Sequence, residues 1–362
     1  MIDKKKRMRI LQVQKESNWA LLWDDFRQGR HVVRGFPVSV HLATDAACNL
    51  HCPMCWQRGP AGLIKPPLIQ EEHLIKFARQ TFPTAKNLEL NISGEPLMSR
   101  LIDLELALAE EYGVKILLTT NGFFLNAKKS RFLTLMRNIG EITFSFDSPH
   151  KKTYLSLRVG SDFEKVVENM RLFQYHRNRL SGNPRPYFNI SMVLMKRNFM
   201  ELPAMVAFAK KVGADRLIVH AMTVFTPQMA HEALHYNEPA LISAAVKAQT
   251  CARKVGIELA YPMLLRKALA QAACAGSCQN PAGEPQVSPC RSLWFRSYLN
   301  ALAQIVTCCA PPHPVMGSLQ ENDFEEIWNN AVYQRMRQGF LKKPLSEICA
   351  LCVKEGIYCS IV

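Results

Sequence analysis

The sequence predicts an α/β fold built on parallel strands, followed by a small cysteine-rich domain made of a β-hairpin and a helix. Three observations carry this. Six short apolar runs alternate with helical patterns between residues 37 and 222, which implies parallel strands with right-handed crossovers, in an open doubly wound sheet or a barrel. Gly113, Gly140 and Gly213 each stand where a helix ends and a strand is about to begin, the usual place of a capping glycine. Past residue 225 this rhythm breaks and the cysteine density rises.

The elements follow in order. "PVSVHLAT" (37–44) reads as a strand, and "IQEEHLIKFARQTF" (69–82) as a helix with Leu74, Ile75, Ala78 and Phe82 on one face. Strand "NLELNIS", helix "SRLIDLELALAEEYG", strand "VKILLTT", helix "NAKKSRFLTLMRNIG" and strand "EITFSFD" come next. Helix "SDFEKVVENMRLFQYHR", strand "YFNISMVLM", helix "NFMELPAMVAFAKKVG" and strand "DRLIVHAM" complete the alternation. A helical connector over about 229–255, a strand "GIELAYP" and a helix "MLLRKALAQAACA" lead into the turn-rich "GSCQNPAGEPQVSPC". The expected domains are an N-terminal extension (1–36), the α/β region (37–225), a connector (226–275) and the cysteine-rich domain (276–362).

Composition narrows the class. With 362 residues and 48% hydrophobic content, the chain can bury a sizeable core without staples. The basic start "MIDKKKRMRI" has no apolar stretch of signal-peptide kind after it, and no run approaches a membrane span, so a cytoplasmic protein without membrane contact is expected. In a reducing compartment the 12 cysteines read as metal ligands or catalytic groups rather than disulfides. Net charge is +15, which would suit a polyanion, but Lys and Arg are scattered apart from Lys4 to Arg9. A basic balance alone does not argue for specific recognition, and nucleic acid is not an expected partner.

"CNLHCPMC" (48–55) gives Cys48, Cys52 and Cys55 the spacing C-x3-C-x2-C in the loop after the first strand. Three thiolates can hold three irons of a four-iron cluster and leave the fourth open to a ligand. The alternative is a zinc knuckle with His51 or a distant group as fourth ligand; His51 adjoins Cys52 too closely to chelate comfortably with it. In a barrel-like array function gathers where strands run into the following loops. "SGEP", "TNG" and "SFDSP" stand at such ends.

With these residues the chain resembles the radical S-adenosylmethionine (radical SAM) enzymes. Their C-x3-C-x-Φ-C motif matches Cys48, Cys52 and Cys55, with Met54 where Φ is usually aromatic; their Gly-Gly-Glu region matches Ser93, Gly94, Glu95 and Pro96. The resemblance implies a partial (β/α)6 TIM-like barrel and a [4Fe-4S] cluster whose open iron chelates the methionine moiety of SAM. Reductive cleavage to a 5′-deoxyadenosyl radical then needs an external one-electron reductant of flavodoxin or ferredoxin type. It implies that Ser93, Gly94 and Glu95 approach the SAM amino group, that Ser145 and Asp147 meet carboxylate and ribose, and that Arg158 pairs with the carboxylate. Met54 or Trp56 would pack on adenine. Asn121 and Gly122 recur in the family, although Asn-Gly turn chemistry explains them equally. Ser191 and His220 are either satisfied core polar groups or contacts to SAM or substrate.

"PCRSLWFRSYLNALAQIVTCCAPP" reads as a hairpin with a cysteine at each end, "NDFEEIWNNAVYQRMRQGF" as a helix with Phe324, Ile327, Trp328 and Met336 near one face, and "CALC" as a closing C-x2-C. This half resembles the SPASM/twitch extension of radical SAM enzymes. The shorter twitch form implies one auxiliary cluster, of [4Fe-4S] type, on Cys290, Cys308, Cys349 and Cys352. Cys309 and Cys359 are spare or replace a neighbour, Cys274 and Cys278 lack a third partner nearby, and zinc is the alternative for the tail set. Asn300-Ala301 stands where a hairpin glycine is common. The expected function is SAM cleavage followed by oxidation or cross-linking of a small molecule or peptide. The alternatives are RNA modification and a peptide maturase with a separate recognition partner.

Overall fold

The computed structural model describes residues 3–58, 68–90, 93–181, 185–225, 227–273, 290–308, 314–342, 345, 349–350 and 352. It divides into two compact units, one of Met1–Ala47, Leu63–Leu118 and Val287–Val362, the other of Cys48–Gly62 and Thr119–Gln286.

The first unit opens with α1 (Lys4–Arg27), a helix where the sequence suggested only a short extension. Its buried positions are Leu11, Lys15, Asn18, Leu22 and Asp25, a helical stripe with three polar members. Lys15 Nζ donates to the carbonyls of Tyr112 and Gly113, both at 2.8 Å. Asn18 exchanges two hydrogen bonds with the Phe36 backbone. Asp25 accepts from the Arg34 amide and Nε. An apolar-periodicity reading passes over such a seam because its polar residues are satisfied by backbone groups remote in sequence.

Next come β1 (Ser39–Ala43), α2 (Glu71–Thr81), β2 (Asn87–Leu90), α3 (Ile102–Glu111) and β3 (Lys115–Thr120). Leu74, Ala78 and Phe82 are buried as the α2 pattern predicts, and Phe77 joins them. The strands are parallel, with Val40 opposite Leu88 and Leu88 opposite Ile116. Val40, Leu42, Leu88 and Leu90 are buried on the face that meets α3, as the bond from Thr44 Oγ1 to Glu105 shows. Ser39, His41 and Glu89 take the opposite face, where Ser39 Oγ donates to Glu89 at 2.7 Å and His41 Nε2 lies 3.2 Å from the same carboxylate. Burial pushes the Glu89 carboxyl up, but the charge and hydrogen bond of His41, with Arg296 and Ser39, outweigh it and hold the group at about 2.

The cysteine-rich tail supplies α10 (Ser292–Phe295), β8 (Arg296–Asn300), β9 (Gln304–Val306) and β10 (Val315–Ser318). The predicted hairpin is present as antiparallel β8 and β9, and β8 also pairs in parallel with β1, His41 opposite Tyr298. Their rings stack at 4.1 Å. The predicted helix over 322–340 divides into α11 (Phe324–Trp328) and α12 (Ala331–Lys342). Asn330 causes the break, its side-chain oxygen accepting the Val332 and Tyr333 amides as a new helix cap.

The second unit holds α4 (Ala127–Leu135), β4 (Ile139–Ser145), α5 (Lys151–Leu157), α6 (Phe163–Asn178), β5 (Tyr187–Leu194), α7 (Leu202–Lys211), β6 (Arg216–Ala221), α8 (Pro239–Val255), β7 (Glu258–Ala260) and α9 (Met263–Ala273). Its strands are parallel in the order β4-β5-β6-β7. Phe144, Phe173 and Phe188 form its aromatic core, with ring centroids 5.2 to 6.1 Å apart. Gly113 and Gly213 take the positive φ expected after a helix. Gly140 does not, because α4 ends earlier and Gly140 lies inside β4. Among the described residues no helix is long and apolar enough to cross a membrane.

Candidate active site

Most of the expected site falls in the second unit. The loop bearing Cys48, Cys52 and Cys55 is closed by a turn, Cys55 N–H to Cys52 O at 3.1 Å, and runs into a short 3-10 turn at Trp56–Arg58. The Leu50 amide donates to Cys48 Sγ at 3.4 Å. Cys52 is buried, and Cys48 and Cys55 are half-buried against an apolar cluster of Leu50, Met54, Leu157, Met195 and Met229. Met54 is therefore part of the wall around the thiols, and Trp56 is half-buried. His51 is exposed and uses its amide, which donates to Val159 O at 2.8 Å.

A charged pair stands behind Cys52. Asp147 is fully buried; its Oδ2 accepts from Arg158 Nε at 2.5 Å and its Oδ1 from the Val193 amide at 2.8 Å. Arg158 Nη1 points at Cys52 Sγ, 3.9 Å away. Burial pushes the Cys52 thiol up, and Arg158 opposes this more strongly than Asp147 reinforces it. Burial also works against the charge on Arg158, but Asp147 and Cys52 prevail and raise it. Asn198 Nδ2 holds the turn from beneath, donating to Asp147 O at 3.0 Å and Val193 O at 2.9 Å.

Ser145 and Ser191 are cross-strand partners on β4 and β5. Asn121 is buried; its Nδ2 donates to Asn49 Oδ1 at 2.8 Å, and its Oδ1 accepts from the Phe123 amide in an Asx turn. Gly122 takes φ +77°, so turn chemistry and cysteine-loop anchoring coexist at this dipeptide. His220 pairs in register with Val193, and burial lowers its imidazole, against the pull of Asp147. Asn49 and Asn198 escaped the sequence reading. Both are short polar residues beside unremarkable turns, and only their tertiary partners give them a role.

The acidic turn lies in the first unit. Gly94 has φ +72°, and a Cβ there would stand 2.6 Å from Asp45 O and 2.8 Å from Ala47 O. Only glycine fits this cradle, which rests on the backbone that leads into Cys48. The Glu95 amide donates to Ala47 O at 2.8 Å, and buried Glu95 accepts from the Leu97 amide at 3.1 Å, capping the turn at Pro96–Met98. Ser93 begins the same turn and is half-buried. Cys290, Cys308, Cys349 and Cys352 are half-buried in this unit too. Ser292 Oγ donates to Thr307 O at 3.2 Å and so ties the stems of Cys290 and Cys308, while Cys349 and Cys352 are in helical conformation. Cys274, Cys278, Cys309 and Cys359 lie outside the described residues.

Residues 46–209 match the family model of the radical SAM superfamily, and residues 290–353 match SPASM, an iron–sulfur cluster-binding domain. Residues 46–209 are thus a radical SAM domain and residues 290–353 a SPASM domain. A radical SAM domain implies a [4Fe-4S] cluster and SAM, and a SPASM domain implies auxiliary iron–sulfur clusters. Among the described residues no three Cys, His, Asp or Glu side chains meet closely enough to hold a single ion; three thiols sharing one apolar wall, with a guanidinium at Cys52, suit instead a cluster that each would bind at a different iron. Among curated proteins, the chain is 22% identical to the AdoMet-dependent heme synthase of Methanosarcina barkeri over 85% of this chain and 86% of that protein. It is also 22% identical to the tungsten-containing aldehyde ferredoxin oxidoreductase cofactor-modifying protein of Pyrococcus furiosus, over about half of each chain (54%). The fold is shared with Streptococcus suis SuiB bound to S-adenosylmethionine, at TM-score 0.66 and 16% identity, covering 89% of this chain and 72% of that one. It is shared with anSMEcpe with bound AdoMet at TM-score 0.63 and 16% identity, covering 89% and 88%.

Proposed function

We propose that this protein is a radical SAM oxidoreductase that cleaves SAM at a cluster held by Cys48, Cys52 and Cys55 and oxidises or cross-links a peptide or small molecule. The observation that carries the reading is the set of three thiols in one apolar cluster with Arg158 directed at Cys52. When bound, the cluster supplies the electron for reductive cleavage of SAM to a 5′-deoxyadenosyl radical.

The chain's own residues divide the remaining work. Glu95, with Ser93 and Gly94, receives the SAM ammonium, for which a carboxylate is the natural partner. Arg158 meets the SAM carboxylate. Asp147 acts through Arg158, since both of its carboxylate oxygens already accept protein hydrogen bonds. Ser145 and Ser191 supply hydroxyls to the ribose, and Asn121 holds the cysteine loop through Asn49. Met54 and Trp56 pack on adenine, while Leu50, Leu157, Met195 and Met229 keep water from the reacting centre. Residues 37–225 handle SAM, 226–275 connect, and 276–362 hold one auxiliary cluster on Cys290, Cys308, Cys349 and Cys352.

A peptide substrate is supported by fold neighbours solved with peptides, SuiB with precursor peptide SuiA and anSMEcpe with the Cp18Cys peptide. A small molecule is supported by the nearly full-length match to a heme synthase. A flavodoxin- or ferredoxin-type protein supplies the electron. The test is anaerobic reconstitution with iron and sulfide, then SAM and dithionite: 5′-deoxyadenosine is expected, and its absence from a protein with full iron content would overturn the reading.

A further inference from the structure

The Asp147–Arg158 pair is built more rigidly than a residue that only greets a passing ligand requires. Asp147 is fully buried and the Arg158 side chain is 12% exposed. Nε of Arg158 is committed to Asp147, and Asp147 is fixed from the other side by the Val193 amide. The guanidinium therefore has one orientation, with Nη1 at Cys52 Sγ.

The backbone around Arg158 is keyed to the cysteine loop as well. The carbonyl of Val159 accepts the His51 amide at 2.8 Å. Gly160, at φ +91°, lies so close to the loop that a Cβ would stand 3.2 Å from Asn49 O. Arg158 and Cys52 thus keep their spacing through two backbone approaches on the flanking residues as well as through the side chains.

A buried ion pair so oriented is a dipole whose positive end faces the thiol and whose negative end is farther away. Charges act strongly over such distances where water is scarce. A positive charge beside a thiolate-held cluster favours the state that has gained an electron.

We infer that Arg158, positioned by Asp147, raises the potential at which the cluster on Cys48, Cys52 and Cys55 takes up its electron, through its charge beside Cys52 and without SAM. This rests on the proposed cluster ligands but not on the proposed contact between Arg158 and SAM. Arg158 is here a positioning residue for charge, and its effect persists when SAM is absent.

The experiment is an EPR-monitored redox titration of the reconstituted protein without SAM, comparing wild type, R158K and R158Q. In R158Q the reduced-to-oxidised ratio at a fixed poise should fall by about tenfold, about 59 mV for a one-electron couple. R158K keeps the charge and should move less. The auxiliary signal serves as the internal reference and should not move. Equal shifts in R158K and R158Q, or a matching shift of the auxiliary signal, would overturn a local charge effect. A wild type that cleaves SAM, beside an R158Q protein with unchanged potential, would also overturn it and leave the proposed function standing.

Discussion

The cysteine loop over residues 48–58 and the hairpin of β8 and β9 both present thiols, but they are held by different physics. Among the described residues the loop has no strand partner; it is fixed by single contacts of high consequence, the His51 amide on Val159, Asn49 on Asn121, and Cys52 against Arg158. Cys290 stands before α10, the short helix that leads into β8, and Cys308 follows β9 by two residues. The hairpin is backed by fully buried Trp294 and by Arg337, whose guanidinium donates to the carbonyls of Leu293, His31 and Trp328. Reactive groups are commonly carried on loops that a rigid scaffold positions. A ladder suits thiols that must only stay where they are.

The sharpest test of that contrast is to remove thiols from each region. Replacing Cys48, Cys52 and Cys55 with Ala should abolish 5′-deoxyadenosine formation entirely. Replacing Cys349 and Cys352 should lower iron content and leave measurable cleavage, read by iron analysis and product chromatography on the same samples. Equal loss of cleavage in both variants would mean that the two regions do not divide the work as proposed.

A smaller effect, on stability, should come from the root of the loop. Glu105 on α3 is fully buried and accepts from Thr44, four residues before Cys48 in the chain; burial and nearby Asp45 push its carboxyl from 4.5 to about 7, against the Thr44 hydrogen bond. Below pH 4.5 the group is protonated whether the chain is folded or not. As pH rises from there to about 7 the unfolded chain releases this proton while the folded one keeps it, so stability falls, by on the order of 3 kcal/mol. Denaturant unfolding of E105Q at pH 5.5 and pH 7.5 should show this slope flattened, and a slope identical to that of the wild type would discard Glu105 as its source.

Legibility followed the same contrast. The C-x3-C-x2-C loop and the βα alternation were open to reading because each depends on local spacing, while Gly94 was reached only through the family motif in which it stands. The parallel pairing of β8 with β1 joins residues 39–43 to residues 296–300, and no pattern within either segment encodes it. The polar seam of α1 was hidden for a similar reason: Lys15 looks like a surface lysine until the carbonyls of Tyr112 and Gly113 are beside it. Asp147 and Arg158 were both singled out from sequence, but their mutual engagement was not, since eleven positions separate them across a strand end and a helix.

The smallest expected effect sharpens the hairpin side. The sequence lacks the glycine common at this turn, and Ala303 is the one non-glycine among the described residues with positive φ, +58°. Its amide donates to Asn300 O at 3.1 Å and its carbonyl accepts the Leu319 amide at 2.9 Å, so the turn and its surroundings together hold this buried residue. Left-handed backbone costs an alanine roughly 1–2 kcal/mol, because Cβ approaches the following carbonyl. Glycine escapes that cost but loses about 0.5–1 kcal/mol more chain entropy on folding. Losing the buried Ala303 methyl costs about 0.8 kcal/mol as well, so the terms nearly cancel and A303G should move stability by less than about 0.5 kcal/mol, within a degree or two of Tm on a scan of the reconstituted protein. The same substitution should leave 5′-deoxyadenosine formation unchanged, because the turn belongs to the laddered region. A loss of cleavage in A303G would mean that the hairpin turn takes part in the chemistry and that the ladder is not passive.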